Sequence, residues 1–228
     1  MKGRFFVKED VMNINYGPIL PFMEYLLKGT YVTLQIAAMA AIGGSTLGLF
    51  FGLSSRRRDP IGFLVRAVVD FFRGTPLVFQ LMFFHLGLPQ ITGWVPTIMT
   101  SAGIVFSLNS ACYLSEILRA GIESIDKGQS EAAIALGVKK MDITFSIIIP
   151  QAIRNVLPAI MNEFITLVKE TSVVSMIGAA DLMRRQSIIS GTTFRYFEPL
   201  LVVGAVYYIL NKVLSSLGKV IERKLRYD

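Results

Sequence analysis

Five long apolar segments, separated by short charged ones, dominate this chain of 228 residues and restrict the folds open to it. A helix needs about 20 mainly apolar residues to cross the hydrocarbon core of a bilayer. The segments that meet this requirement are residues 22–53, 61–86, 96–122, 147–168 and 196–217. With 53% hydrophobic and only 17% charged residues, the chain is too apolar for one ordinary soluble domain. The sequence therefore predicts an integral membrane protein with about five transmembrane helices.

The apolar segments favour helices over strands, because none alternates apolar and polar residues as the strands of a membrane barrel do. A lipid-exposed segment must also pair its own backbone groups, which a helix achieves. We therefore expect an all-α fold, with a single transmembrane domain over residues 17–228. Residues 1–16 lack the apolar core of a cleavable signal peptide, so we expect them to form an extracytoplasmic leader or an interfacial segment.

The net charge of +7 follows a membrane topology rather than a nucleic-acid surface. Basic residues cluster after the first segment, between the third and fourth segments, and after the fifth segment: Arg56, Arg57, Arg58, Lys127, Lys139, Lys140, Arg223, Lys224 and Arg226. All three clusters lie on one side of the membrane if the amino terminus is outside and the carboxyl terminus is cytoplasmic. This is the arrangement that the positive-inside rule predicts for five spans.

Several residues in the apolar segments have a structural interpretation. Gly44, Gly48 and Gly52 recur every four residues on one face of the first helix, where small residues allow another helix to approach closely. Cys112 is the single cysteine and His85 the single histidine. Neither has the neighbours of a metal site, so we expect packing for Cys112, an interface position for His85 and no metal site.

The second segment carries a polar face, formed by Arg66, Asp70, Arg73 and Gln80. Pro76 interrupts the segment and invites a kink, because it removes a helical hydrogen bond. In one interpretation, the first part is an amphipathic helix at the cytoplasmic interface and the true span starts near Thr75. In the other, Arg73 faces a cavity within the membrane.

A narrow polar stripe on the third segment contains Asn109, Tyr113 and Glu116, which return to one helix face at steps of four and three residues. Ionisable groups within the membrane usually face a bundle interior or an aqueous cavity. Glu116 has two interpretations, since it could line such a cavity or pair with the nearby Arg119.

The fourth segment carries the clearest polar sector, which spans about 120° of the helix and contains Asn155, Asn162, Glu163, Thr166, Lys169 and Glu170. Glu163 lies well inside the membrane and needs a cation. Lys169 is too distant along the helix to be an i+3 or i+4 partner. A cationic ligand or a salt bridge to another span, for example to Arg73, would satisfy this carboxylate.

Between the third and fourth segments lies a charged loop rich in alanine and glycine, residues 123–146. We expect residues 130–140 to form a short helix, because Ala132, Ala133 and Ala135 have high helix propensity. Its small side chains suit the groove of a partner, and Gly137 allows a sharp turn or a close approach. The loop alone predicts a cytoplasmic interaction helix.

This loop resembles the EAA loop of the membrane permease subunits of ABC importers. The matching residues are Glu131, Ala132, Ala133, Gly137, Ile147, Ile149 and Pro150. The one departure is Ile149, where the family pattern has leucine, which is a conservative apolar change.

Further motifs resemble the polar amino-acid branch of that family, and together the resemblance extends from Gly17 to the carboxyl end. They are Arg73-Gly74-Thr75-Pro76-Leu77, Tyr113 with Glu116-Ile117 and Arg119, Lys127-Gly128-Gln129, and Lys169-Glu170-Thr171-Ser172.

The resemblance implies a type I ABC importer permease in the bacterial cytoplasmic (inner) membrane. It would form a homodimer, or a heterodimer with a related permease, and would bind two cytoplasmic ATPase subunits and an extracytoplasmic amino-acid-binding protein. The residues implied to couple the permease to the ATPase are Glu131, Ala132, Ala133, Gly137, Gly128 and Gln129. The chain lacks a GxxxxGK[ST] phosphate loop, so it is not expected to be an enzyme, and ATP and Mg would be bound by the partner.

For the substrate, the polar residues favour a cationic amino acid: arginine, lysine or histidine. Glu163, with Asn162 and Thr166, could hold an ammonium or guanidinium group, and Tyr113 and Glu116 could frame the pocket. Arg73 could meet the substrate carboxylate. An ATP-independent secondary transporter is the alternative, although such folds usually contain a repeated pair of broken helices. An intramembrane enzyme would require a catalytic constellation that this sequence does not contain.

Overall fold

Helices account for all the regular secondary structure in the computed structural model, which describes the backbone of residues 14–227 and the side chains of residues 14–224. The predicted leader therefore lies almost entirely outside the described residues. The helices are α1 Met23–Ser54, α2 Pro60–Gly74, α3 Leu77–Thr92, α4 Ile98–Glu123, α5 Lys127–Ala135, α6 Lys140–Ile177, α7 Leu182–Thr193 and α8 Phe197–Tyr227. Wider π-helical turns occur within α3 and α6, at Phe83–Gly87 and Ile143–Ile148. The all-α prediction is confirmed.

Four of the described helices are long and apolar enough to cross a membrane: α1, α4, α6 and α8. The α2–α3 pair provides a fifth span if its two parts are counted together, so the prediction of about five spans is confirmed. However, residues 61–86 do not form one straight helix, because α2 and α3 meet at an angle of 109°. Thr75 and Pro76 are both extended at this break, where Pro76 has no amide hydrogen to continue the helix.

The glycine face of α1 packs directly against α4. A Cβ atom added at Gly44 would lie 2.7 Å from Ser110 Cβ, and one at Gly48 would lie 2.9 Å from Leu114 Cβ. At Gly52 the nearest atom, Leu118 Cδ1, would be 3.6 Å away. The packing role predicted for these glycines is confirmed, and α4 becomes the central helix of the bundle.

We expect Gly44→Val to destabilise the bundle, because even the first added carbon lies too close to Ser110. Overpacking of this kind costs about 1–3 kcal/mol. Gly52→Val is the matched control on the same helix face, where the contact distance is ordinary. Thermal unfolding of the purified protein checks this, and an equal loss of stability in the two variants would contradict it.

The three basic clusters meet at one end of the bundle. Gly52, near the end of α1, packs against Leu118 of α4, and Asn155 Nδ2 of α6 donates to Ser124 Oγ after α4 over 3.0 Å. Gly218 of α8 packs against Met161 of α6. We call this the basic end.

At the opposite end, Asp181 fixes the start of α7. Its carboxylate accepts hydrogen bonds from the amides of Met183 and Arg184, and the Leu182 amide donates to Thr33 Oγ1 of α1. Burial raises the pKa of Asp181, although these amides oppose that shift. Helix α7 is therefore held against α1 by buried polar contacts.

Candidate functional site

The bend between α2 and α3 is held by one buried side chain. Gln80 Nε2 donates to the carbonyl oxygens of Phe72 and Thr75, over 2.7 and 3.0 Å, and also contacts Thr75 Oγ1. Gln80 Oε1 accepts from Asn109 Nδ2 of α4 over 3.0 Å. Gln80 thus satisfies backbone groups that the helix break exposes and attaches the bend to the central helix.

Beside this bend, Arg73 of α2 meets Glu116 of α4. Arg73 Nη1 lies 3.3 Å from Glu116 Oε2, and Arg119 Nη2 lies 2.8 Å from the same oxygen. Arg119 also reaches Glu123 over 2.7 Å, and the Arg73 guanidinium lies 5.9 Å from the centre of the Tyr113 ring. The pairing of Glu116 with Arg119, which the sequence left open, is therefore present together with a second cation.

Glu163 lies half-buried on α6 and is not paired with Arg73, which contacts Glu116 instead. The Ser110 hydroxyl of α4 lies near Glu163 but makes no hydrogen bond of good geometry among the described residues. The other charged group close to Glu163 is Glu170, which carries the same sign. Within residues 14–224, no cation forms an ion pair with Glu163.

The candidate substrate residues thus form two groups on either side of α4. Arg73, Tyr113 and Glu116 lie where α2 meets α4, whereas Asn162, Glu163 and Thr166 lie on α6. No hydrogen bond or ion pair joins the two groups among the described side chains. Tyr113 lies on the α4 face between Ser110 and Glu116, at steps of about 60°, and is 39% exposed. Tyr113 therefore lies between the α4 residue that contacts Arg73 and the α4 residue that lies near Glu163.

The loop over residues 123–146, which we call the coupling loop after the role predicted for it, contains a short, well-capped helix, α5. Asp126 precedes it, and its carboxylate accepts a hydrogen bond from the Gly128 amide over 2.6 Å. A Cβ atom at Gly128 would lie 2.7 Å from the same carboxylate oxygen. Asp126 was not among the predicted residues, although an aspartate directly before a helical segment is a known N-cap signal.

Helix α5 ends at Ala135, so the predicted helix over residues 130–140 is wrong at both ends. Gly137 has a φ of 76°, its amide donates to the Ile134 carbonyl, and the Val138 amide donates to the Ala133 carbonyl. These two bonds form a Schellman motif, which ends a helix at a left-handed glycine. The sharp turn expected at Gly137 is present, and Lys139 and Lys140 fall outside the helix.

Most of α5 is exposed, which leaves a surface free for a partner. Gln129, Glu131 and Ala132 are exposed, whereas Ala133 is buried against the chain. Large apolar side chains next to this helix are also exposed: Ile134, Leu136, Met141 and Phe145. Exposed apolar side chains gathered in this way indicate an interaction surface.

The described part of the chain contains no group of three or more His, Cys, Asp or Glu residues that could hold a metal ion. Cys112 is buried against Phe51, Val65, Val69 and Ala111. His85 Nδ1 lies 2.8 Å from Ser101 Oγ and is half-buried.

The architecture is that of a type I ABC importer permease. It superposes on a chain of the crystal structure of an amino acid ABC transporter with histidines, with a TM-score of 0.88 and 37% identity, covering 93% of this chain and 100% of that chain. The chain belongs to the family described as binding-protein-dependent transport system inner membrane component, whose model matches residues 44–227.

Two relatives are similar over nearly their whole length. The arginine transport system permease protein ArtQ of Bacillus subtilis is 44% identical, over 94% of this chain and 99% of that protein. The putative glutamine transport system permease protein GlnP of Rickettsia conorii is 40% identical, over 90% of this chain and 94% of that protein. The chain is therefore a permease subunit of an amino-acid ABC importer. Family membership implies ATPase and binding-protein partners and an inner-membrane location.

Proposed function

We propose that this permease forms the translocation pathway for a cationic amino acid, such as arginine, lysine or histidine, and works by alternating access coupled to partner ATPase subunits. The observation that carries the proposal is Glu163. It is a half-buried carboxylate on a membrane-spanning helix, without a cationic partner among the described side chains. A charged group in this setting requires a counter-charge, and a substrate ammonium or guanidinium group supplies one.

The neighbouring residues suit such a substrate. Asn162 and Thr166 lie within one turn of Glu163 on α6 and offer hydrogen-bonding groups. Tyr113 presents an aromatic face on the adjacent side of α4, which favours a cation. Arg73 and Glu116 lie at the far side of Tyr113, where Arg73 could meet the substrate carboxylate when its contact with Glu116 opens. The arginine transporter relative supports this class of substrate.

The coupling loop is the proposed contact with the ATPase. Gly128 and Gln129 lie in the first turn of α5, Glu131, Ala132 and Ala133 follow within the helix, and Gly137 forms the turn after its end. The ATPase subunits would bind ATP and Mg and carry out hydrolysis, while this chain responds by movement. The basic end is then cytoplasmic and the amino terminus extracytoplasmic, in agreement with the positive-inside rule. Two such chains, or this chain and a related permease, would enclose the pathway.

Glu163→Gln tests the proposed substrate class. We expect the preference for arginine over glutamine to fall about tenfold, which corresponds to about 1.4 kcal/mol for the lost charge interaction. Uptake of labelled arginine and glutamine into vesicles containing the complete transporter measures this ratio.

The matched control is Glu24→Gln, which removes a carboxylate that pairs with Lys28 at the exposed surface of α1. This change should leave the preference unaltered, because exposed pairs of this kind contribute little. An unchanged arginine preference in Glu163→Gln would refute the proposed role of Glu163 while leaving the assignment as an amino-acid permease intact.

A further inference from the structure

A basic cleft opens between α6 and α8 at the basic end of the bundle, next to the contact of α6 with α4 at Asn155 and Ser124. Its volume is about 440 Å³, and it is lined by Arg154, Asn155, Leu157, Pro158, Lys219, Glu222 and Arg223. The two helices can approach here because Gly218 of α8 has no side chain where it packs on Met161 of α6. A Cβ atom added at Gly218 would lie 3.2 Å from the methyl carbon of Met161. The cleft lies level with the carboxyl ends of α4 and α8, where a membrane interface would be.

The charge of this cleft is unbalanced. Three of its side chains, Arg154, Lys219 and Arg223, are cations, and Glu222 is its single acid. None of the three cations forms an ion pair within residues 14–224. All three are exposed, so the cleft offers an excess of two positive charges to a ligand from outside the chain.

The helices that form the cleft also expose apolar surface. Leu157 and Pro158 line the cleft itself, and Val213 and Leu217 are exposed on α8, closer to the middle of that helix than Lys219. Only 6% of the apolar stretch of α8 is buried within the chain. A ligand that fits both parts has an anionic head and an apolar tail, as an anionic phospholipid does.

We propose that the basic cleft binds the phosphate headgroup of an anionic phospholipid, with the acyl chains along the exposed faces of α6 and α8. Basic pockets between membrane helices suit such headgroups. The bound lipid would fill the gap between α6, which carries Glu163, and α8. We therefore expect it to remain bound to the complete transporter during purification.

The test measures binding of a short-chain phosphatidylglycerol to the complete purified transporter by native mass spectrometry. We expect the double variant Lys219→Gln with Arg223→Gln to bind the lipid about tenfold more weakly, since each cation near a membrane surface contributes modestly and is partly screened. The matched control, Arg56→Gln with Arg58→Gln, removes the same charge from the exposed α1–α2 turn at the same end and should bind normally.

Three results would overturn the proposal. Equal weakening in both double variants would indicate a general surface attraction rather than a site. Displacement of the lipid from the unmodified transporter by inorganic phosphate alone would assign the cleft to a soluble anion. Loss of a protein subunit from the cleft variant, with lipid binding unchanged, would assign the cleft to a protein contact. Stronger retention of phosphatidylglycerol than of phosphatidylcholine by the unmodified transporter would support the proposal even if the variants fail to fold.

Discussion

Replacing Gln80 with leucine should destabilise the protein by about 3 kcal/mol or more. The side chain holds the 109° bend between α2 and α3 by donating to Phe72 and Thr75 and accepting from Asn109. Leucine fills similar space but leaves these groups without their partner, and each buried unsatisfied group costs about 1–3 kcal/mol. We expect the midpoint of thermal unfolding to fall clearly, and transport to fall with it because the Arg73 contact depends on the bend.

Gln90→Leu provides the control on the same helix. Gln90 is exposed and makes one long hydrogen bond of 3.4 Å to the Leu86 carbonyl, so its loss should hardly affect unfolding. If the two variants unfolded at the same temperature, Gln80 would not be the residue that supports the bend.

Gly137→Val should impair transport by up to about 100-fold. Gly137 has a φ of 76°, which a β-branched residue adopts only with strain, and strain of about 1–3 kcal/mol corresponds to a factor of about 5 to 150 in the population of the native turn. Because this turn ends α5, its loss would let the helix extend and change the surface that we propose to contact the ATPase. Co-purification of the ATPase subunits and ATP-driven uptake would both report the change.

Gly204→Val is the control that distinguishes backbone strain at Gly137 from the effect of adding a larger side chain. Neither glycine has another atom within 4 Å of an added Cβ, but Gly204 has an ordinary helical φ in α8. The control variant should retain its ATPase subunits and its transport. Normal transport by Gly137→Val would mean that the shape of the coupling loop does not govern the contact.

The helices and their packing faces were largely predictable from the sequence. Apolar length identified α1, α4, α6 and α8, because the bilayer sets a minimum length for a spanning helix. The four-residue spacing of Gly44, Gly48 and Gly52 identified the face of α1 that meets α4, because that spacing repeats on one side of a helix. Both features depend on residues within a single helix, so a pattern in the sequence of that helix is enough to predict them.

The size of the bend at Pro76 was not predictable. A proline predicts a break in a helix but does not determine the angle of that break. The angle depends on Gln80, whose partners include Asn109 on another helix, 29 residues away. Sequence periodicity placed Gln80 on the same polar face as Arg73, although its actual role is to bridge the break.

The error in the coupling helix has a different cause. Alanine propensity favoured continuing the helix to residue 140, and the left-handed conformation of Gly137 ended it at Ala135 instead. The lysines were also misleading: cations near the end of a helix are favourable, but Lys139 directly precedes the next helix and Lys140 is its first residue. Of these residues, only Gly137 correctly indicated where the helix ends.

The partner of Arg73 was not predicted, because the sequence suggested Glu163 as a possible ion-pair partner and the structure shows Glu116 instead. Only the bend brings Arg73 against α4 and leaves Glu163 on the other side. Choosing between these carboxylates requires the three-dimensional arrangement of three helices.

Helix α6 begins only a few residues after α5 and continues without a chain break past Glu163. Lys140 and Glu163 are separated along it by about 35 Å, at 1.5 Å per residue. A tilt of about 10° about its loop end would therefore displace Glu163 by about 6 Å, comparable with the length of one helical turn. The helix thus has the geometry of a lever, in which a small angle at one end becomes a displacement as large as an amino-acid side chain at the other.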